Sequence, residues 1–204
     1  MILLRAREFG LSLYPLPPLQ NAMKLPGTET QPENVSIAMG KLEIGAGMTF
    51  LDIGCGSGAV SLAASRFTDI IYGVDRRPEA VEISRAKVPA GTFLCGEAED
   101  LLATLPKVDR CFIGGTRGID AFFPLLMERL SPGSVVVADL ARIGIASKVA
   151  NLMKAEGIFN ELLQIGISRG YELAGDIALR PINPIFMVVG RRPGMSEQME
   201  MTRC

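Results

Sequence analysis

Blocks of consecutive apolar residues recur along the chain, and most are followed by a stretch with helical spacing. Met48–Ile53, ending at Gly54, predicts a strand, and Ala59–Arg66 the helix after it. Ile70–Asp75 predicts a second strand and Pro78–Lys87 a helix with proline at its start, where a missing N–H costs nothing. Thr92–Cys95 and Val108–Ile113 predict two more strands, the latter broken by Gly114-Gly115. Ile119–Leu130 reads as a helix. Ser131-Pro132-Gly133 reads as a turn into the apolar strand Ser134–Ala138. A helix over Ala141–Glu156 stops at Gly157, and late strands are expected near Glu161–Ile167 and Ile185–Val189.

Strands that are apolar throughout, separated by helices, predict a parallel sheet covered on both faces. The flanks differ. Pro15, Pro17, Pro18 and Pro26 break any long helix near the start, so residues 1–31 are expected to form an arm. A short helix is expected over Pro32–Glu43 with Thr30 as its N-cap. Residues 32–191 make one domain, and 192–204 are expected to be a frayed tail.

Composition narrows the chemistry. The 204 residues are 48% hydrophobic and 21% charged, which suits a full core. The net charge of -1 and the lack of a basic run argue against capture of nucleic acid by its backbone. No apolar run approaches the ~18 residues of a membrane span, and no secretory leader is expected from Met1–Arg5. There is no histidine, which excludes Ser-His-Asp and Cys-His catalysis and histidine-ligated metal. The four cysteines, Cys55, Cys95, Cys111 and Cys204, form no C-x-x-C pair, so no metal site is expected. The first three lie in apolar, strand-like contexts and read as small buried hydrophobes. A reduced, cytoplasmic protein fits this usage.

The chemistry begins at Leu51-Asp52-Ile53-Gly54-Cys55-Gly56-Ser57-Gly58. A strand that runs through glycines into a helix lets bare backbone approach a ligand. Asp75, 21 residues after Gly54, ends the next strand and can accept hydrogen bonds from a ribose diol. Gly54-x-Gly56-x-x-Ala59 also matches the dinucleotide fingerprint. Asp52 separates the two ligand classes. A carboxylate there needs a donor, either a ligand ammonium group or the N–H groups that shape the loop, and it would repel a pyrophosphate. This favours S-adenosylmethionine over NAD.

With these residues the sequence resembles the class I S-adenosylmethionine-dependent methyltransferases over residues 30–191. The resemblance implies a Rossmann-like fold with a seven-stranded, mostly parallel sheet whose last strand is antiparallel. It also implies a cofactor site at Thr30, Asp52, Gly54, Cys55, Gly56, Ser57, Gly58, Asp75, Glu97 and Ala98. Gly96-Glu97-Ala98 resembles the segment that flanks the adenine, although Glu97 and Glu99 read equally well as a solvated helix start. Three further stretches resemble the cobalt-precorrin-6B C15-methyltransferase (decarboxylating) family of cobalamin biosynthesis. They are Ile113-Gly114-Gly115-Thr116-Arg117-Gly118, Ile167-Ser168-Arg169-Gly170 with Asn183-Pro184-Ile185-Phe186, and Thr30-Gln31-Pro32-Glu33. Asp75-Arg76-Arg77-Pro78-Glu79-Ala80 fits the same family. Asn34, Val35 and Ser36 depart from it, since an arginine is usual soon after the glutamate.

The resemblance implies methyl transfer to C15 of a tetrapyrrole, decarboxylation of its C12 acetate, and a homo-oligomer, a tetramer in this family. No nucleic acid, membrane or metal partner is expected. Arg169 and Arg117, each beside a glycine, are the candidates to pair substrate carboxylates; the plainer alternative is a surface arginine in a salt bridge. No proton donor is evident in the sequence. Competing readings are a methyltransferase acting on tRNA or protein, and a cofactor-binding module or partner subunit without turnover.

Overall fold

A computed structural model describes residues 30–195. The arm before Thr30, the end of the tail and Cys204 lie outside the described residues. Helix α1 (Pro32–Leu42) leads into strand β1 (Phe50–Ile53), followed by α2 (Ala59–Ala64), β2 (Ile71–Asp75), α3 (Pro78–Lys87), β3 (Thr92–Cys95) and the short α4 (Ala98–Leu101). Then come β4 (Val108–Ile113), α5 (Ile119–Arg129), β5 (Leu130–Leu140), α6 (Ile143–Ala155), β6 (Phe159–Ile165), β7 (Ser168–Leu173), β8 (Asp176–Pro181) and β9 (Ile185–Arg191).

Seven strands form one sheet in the order β3-β2-β1-β4-β5-β9-β6. The first five pair in parallel, and β9 runs antiparallel to both β5 and β6. Burial on two faces explains the continuous apolar strands. Leu51, Ile53, Val136 and Ala138 pack with α5 and α6 on one face. Phe50, Phe112, Val135 and Val137 pack with α1, α2 and α3 on the other. Strand order reverses between β1 and β4, so the helices after these two strands, α2 and α5, leave on opposite faces and open a crevice at the carboxyl edge.

Helix α1 has a fixed direction. Arg110, a buried guanidinium in β4, donates to the carbonyls of Glu43, Asp109 and Gly133, and the Glu43 carboxylate pairs with Arg191 of β9. Arg110 and Arg191 both stand in register with Val135 at the amino-terminal end of the parallel strands. The carboxyl end of α1 is therefore fastened to that edge, and its first turn lies over the carboxyl edge.

Several elements differ from the sequence expectation. Gln31, not Thr30, is the N-cap of α1, and its side chain makes no capping bond; Pro32 in the first turn starts the helix instead. Strand β5 begins at Leu130 and runs through Pro132-Gly133, with an irregular register there, because Val108 pairs Leu130 before the turn residues. Cys95 is exposed at the end of β3, whereas Cys55 and Cys111 are buried. The segment between β6 and β9 contains an unexpected two-stranded ribbon, β7 and β8, whose residues are almost all exposed.

Candidate active site

The loop Gly54–Gly58 follows from a chain that must leave β1 and turn at once into α2. Gly54 and Cys55 both donate to the Val74 carbonyl, which holds the loop against β2. Gly54 has φ +78°, and a Cβ on it would lie 2.6 Å from the Gly115 nitrogen. Its bare backbone therefore serves close approach to the loop after β4. Gly56 has φ +53°, and the nearest neighbours to a Cβ there would be the Arg77 guanidinium at 3.7 Å and the Gly54 carbonyl at 3.8 Å, both ordinary contacts, so a side chain would not clash with the chain.

Asp75 ends β2 and is 5% exposed. One of its oxygens accepts from the Arg77 N–H at 3.0 Å and Nε at 2.9 Å; the other accepts from the Gly56 N–H at 3.0 Å and Arg77 Nη2 at 2.9 Å. Burial would raise its pKa, but these bonds and the Arg77 charge outweigh burial and pull it below its ordinary value. All four acceptor positions of the carboxylate are filled by the chain itself.

Asp52 is 1% exposed in the middle of the sheet. Its Oδ2 accepts from Ser61 Oγ at 2.6 Å, and its Oδ1 has no hydrogen-bond partner among the described residues. Burial pushes its pKa up to about 7, against the Ser61 hydrogen bonds that lower it. Asp52 thus meets its donor beneath the loop, on α2. Cys55 also points below the loop, receives Ser84 Oγ at 3.4 Å, and has its thiol pushed up to about 12, chiefly by burial. It is not an activated thiolate. Ser57 is half-buried at the head of the loop, and Gly58 is the N-cap of α2.

A crevice of about 230 Å³ opens between these elements, lined by Gly54, Asp75, Glu97, Ala98, Gly115 and Arg117, among others. Arg77 is one of its walls. Glu97 is the N-cap of α4, and Arg117 approaches it at 4.0 Å with its side chain 69% exposed. Thr30 does not line this crevice; it lies at a separate groove between α1 and α2. Arg169 lies in β7, where its guanidinium is paired with Glu33 and reaches Gln31 at 3.4 Å. It stands over the start of α1, not on the crevice wall. Sequence reasoning missed Arg77, whose signal was a basic residue two positions after a strand-ending aspartate. It also missed Ser61, one polar position on a helix otherwise small and apolar. No group of three or more Cys, Asp or Glu residues that could hold a metal occurs among the described residues.

The residues fit a nucleoside ligand. A carboxylate marks the end of β2, half-buried backbone lies at Gly56, and the wall beyond β3 is formed by Glu97 and Ala98. Fold and crevice together define a class I methyltransferase. The model of the precorrin methyltransferase domain matches residues 23–192, and the chain belongs to that family.

Two archaeal relatives bear the name "Probable cobalt-precorrin-6B C(15)-methyltransferase (decarboxylating)". The chain is 34% identical to the one from Methanosarcina acetivorans over 184 residues, 85% of this chain and 99% of that one. It is 32% identical to the one from Methanosarcina mazei over the same shares. Among solved structures, the precorrin 8W decarboxylase of Methanobacterium thermoautotrophicum superposes with a TM-score of 0.76 at 22% identity, covering 80% of this chain and 92% of that one. That likeness is one of fold.

Proposed function

We propose that this chain transfers a methyl group from S-adenosyl-L-methionine to C15 of cobalt-precorrin-6B and removes the C12 acetate carboxylate as carbon dioxide. The observation that carries the reading is the relative at 34% identity, which the match spans almost from end to end. The crevice supports it. Bound there, S-adenosyl-L-methionine supplies an electrophilic methyl group. Asp75 takes the ribose hydroxyls, Gly56 leaves room for the ligand backbone, and Glu97 and Ala98 flank the base. An electron-rich ring carbon needs no imidazole base to attack a sulfonium methyl in line, so alignment is the main task of the protein.

The substrate carboxylates call for fixed cations. Arg117 is the better placed of the two candidates, because it stands on the crevice wall with a weak partner. Arg169 would exchange Glu33 for a substrate carboxylate. The test is mass spectrometry of the purified chain with cobalt-precorrin-6B and S-adenosyl-L-methionine. The expected product has gained one methyl group and lost carbon dioxide; no change in substrate mass would overturn the reading.

The same reading includes a homo-oligomer, a tetramer, working in the cytoplasm. A lone two-stranded ribbon is marginal in water. The β7–β8 ribbon nevertheless presents Leu173 at 55%, Ile177 at 76% and Leu179 at 68% exposure, which favours burial against another copy. Light scattering of the native chain against Ile177→Asp checks it, with a lower mass expected for the variant. No helix among the described residues is long and apolar enough to cross a membrane.

A further inference from the structure

One half-buried acid, whose Oδ1 is fully buried, is used by neither the cofactor site nor the packing of the sheet. Asp139 follows the apolar run Val135–Ala138 in β5. Val135 and Val137 belong to the core cluster under α1, while Val136, Ala138 and Leu140 belong to the opposite one. Alternation therefore points Asp139 toward α1. Its partner across the antiparallel ladder is Met187, which lies in that same cluster. On the parallel side Ile113 pairs with Ala138, so Asp139 is level with Gly114, and Gly114 lines the crevice. Neighbouring strands are ~4.8 Å apart, so the Asp139 backbone stands one strand from the crevice wall.

The first turn of α1 brings a second polar group to this place. From Glu43, level with Val135, back to Asn34 is nine residues, or roughly 13 Å of helix. From Val135 to Asp139 is four residues, or roughly 13 Å of strand. By that count Asn34, on the buried face of α1 with Ala38 and Leu42, comes level with Asp139. Asn34 is 1% exposed, and its Oδ1 has no hydrogen-bond partner among the described residues; Asp139 Oδ1 has none either. Two buried oxygens without a partner at this level of the sheet each cost free energy unless a ligand completes them. The wall of Met187 and Val137 around them is apolar, which favours loss of charge from a bound carboxylate.

Resting on the corrinoid reading above, we propose that the Asp139 carboxyl is the proton donor of the decarboxylation, with Asn34 as the residue that positions it. The bond between the acetate methylene and its carboxylate carbon breaks, and carbon dioxide leaves. The electron pair passes into the conjugated ring as an enamine. The enamine carbon then takes the Asp139 proton to become a methyl group, and the Asp139 carboxylate is reprotonated by water. Burial holds this carboxyl up at about 6, so a proton-bearing fraction is present near neutrality.

The experiment measures both half-reactions in the native chain and in Asp139→Asn, with methyl-labelled S-adenosyl-L-methionine, cobalt-precorrin-6B and trapped carbon dioxide. The expected result for the variant is near-native methyl incorporation with carbon dioxide release slowed ~100-fold or more, so that a methylated, undecarboxylated product accumulates. Asn34→Ala should slow the same step by a smaller factor. Asp139→Ser serves if the asparagine variant does not fold. Unchanged carbon dioxide release, or equal loss of both half-reactions in a folded, cofactor-binding variant, overturns the assignment. A native chain that performs neither half-reaction overturns the corrinoid reading instead.

Discussion

The glycines after β1 invite a paired test, because the structure gives two of them different work. At Gly54 an alanine would adopt a left-handed conformation at about 1–2 kcal/mol. Its Cβ would also lie 2.6 Å from the Gly115 nitrogen and 2.8 Å from its Cα, which are backbone atoms that cannot rotate away. Moving the tip of β4 costs about 1–3 kcal/mol, as overpacking does elsewhere. Gly54→Ala should therefore lose about 2–5 kcal/mol of stability. Gly56→Ala meets nothing closer than 3.7 Å and carries only the conformational strain. It should lose about 1–2 kcal/mol, yet weaken S-adenosyl-L-methionine binding about tenfold or more, since its Cβ enters ligand space. Urea unfolding at constant slope gives the stabilities, and calorimetry gives the affinities. Equal stability losses in the two variants, or normal cofactor binding by Gly56→Ala, would refute the division.

Three further outcomes are expected. Asp75→Ala should weaken cofactor binding about 10- to 150-fold by calorimetry with an unchanged circular dichroism spectrum, the range that follows from ~1.5–3 kcal/mol for hydrogen bonds to a charged group. Asp52 ionises at 3.8 when unfolded and at about 7 when folded, so the stability present below the lower value is lost as pH rises through the upper one. The melting temperature of the native chain should accordingly fall over this range, and Asp52→Asn should flatten the fall; parallel profiles would count against it. Arg169→Lys should raise the substrate KM while cofactor affinity and melting temperature hold, whereas a lowered melting temperature with normal kinetics would make the Glu33 pair purely structural.

The sheet was readable because its strands are buried on both faces and its turns carry glycine or proline. Val108–Ile113 and Pro78–Lys87 came out to the residue for that reason. The β7–β8 ribbon was not readable, since Tyr171, Leu173, Ile177 and Leu179 are interrupted by Glu172, Asp176 and small residues and belong to no core. The loop and Asp75 were visible as a motif, but the partners of its acids were not. Ser61 and Arg77 reach Asp52 and Asp75 through folding of a helix and a tight turn, which spacing alone does not encode. Asp139 was hidden at the end of an apolar run, and its distance from α1 depends on how Arg110 and Arg191 anchor Glu43.

The saturated state of Asp75 has a kinetic consequence. A ligand that takes this carboxylate cannot simply add to it, because Arg77 must let go first. Capture becomes an exchange, in which the bonds of Arg77 are given up as those to the ligand form. The observed association rate should then level off at high ligand concentration, at the rate with which Arg77 releases. Shortening that side chain would lift the plateau, because an exchange without its leaving partner reverts to a plain encounter.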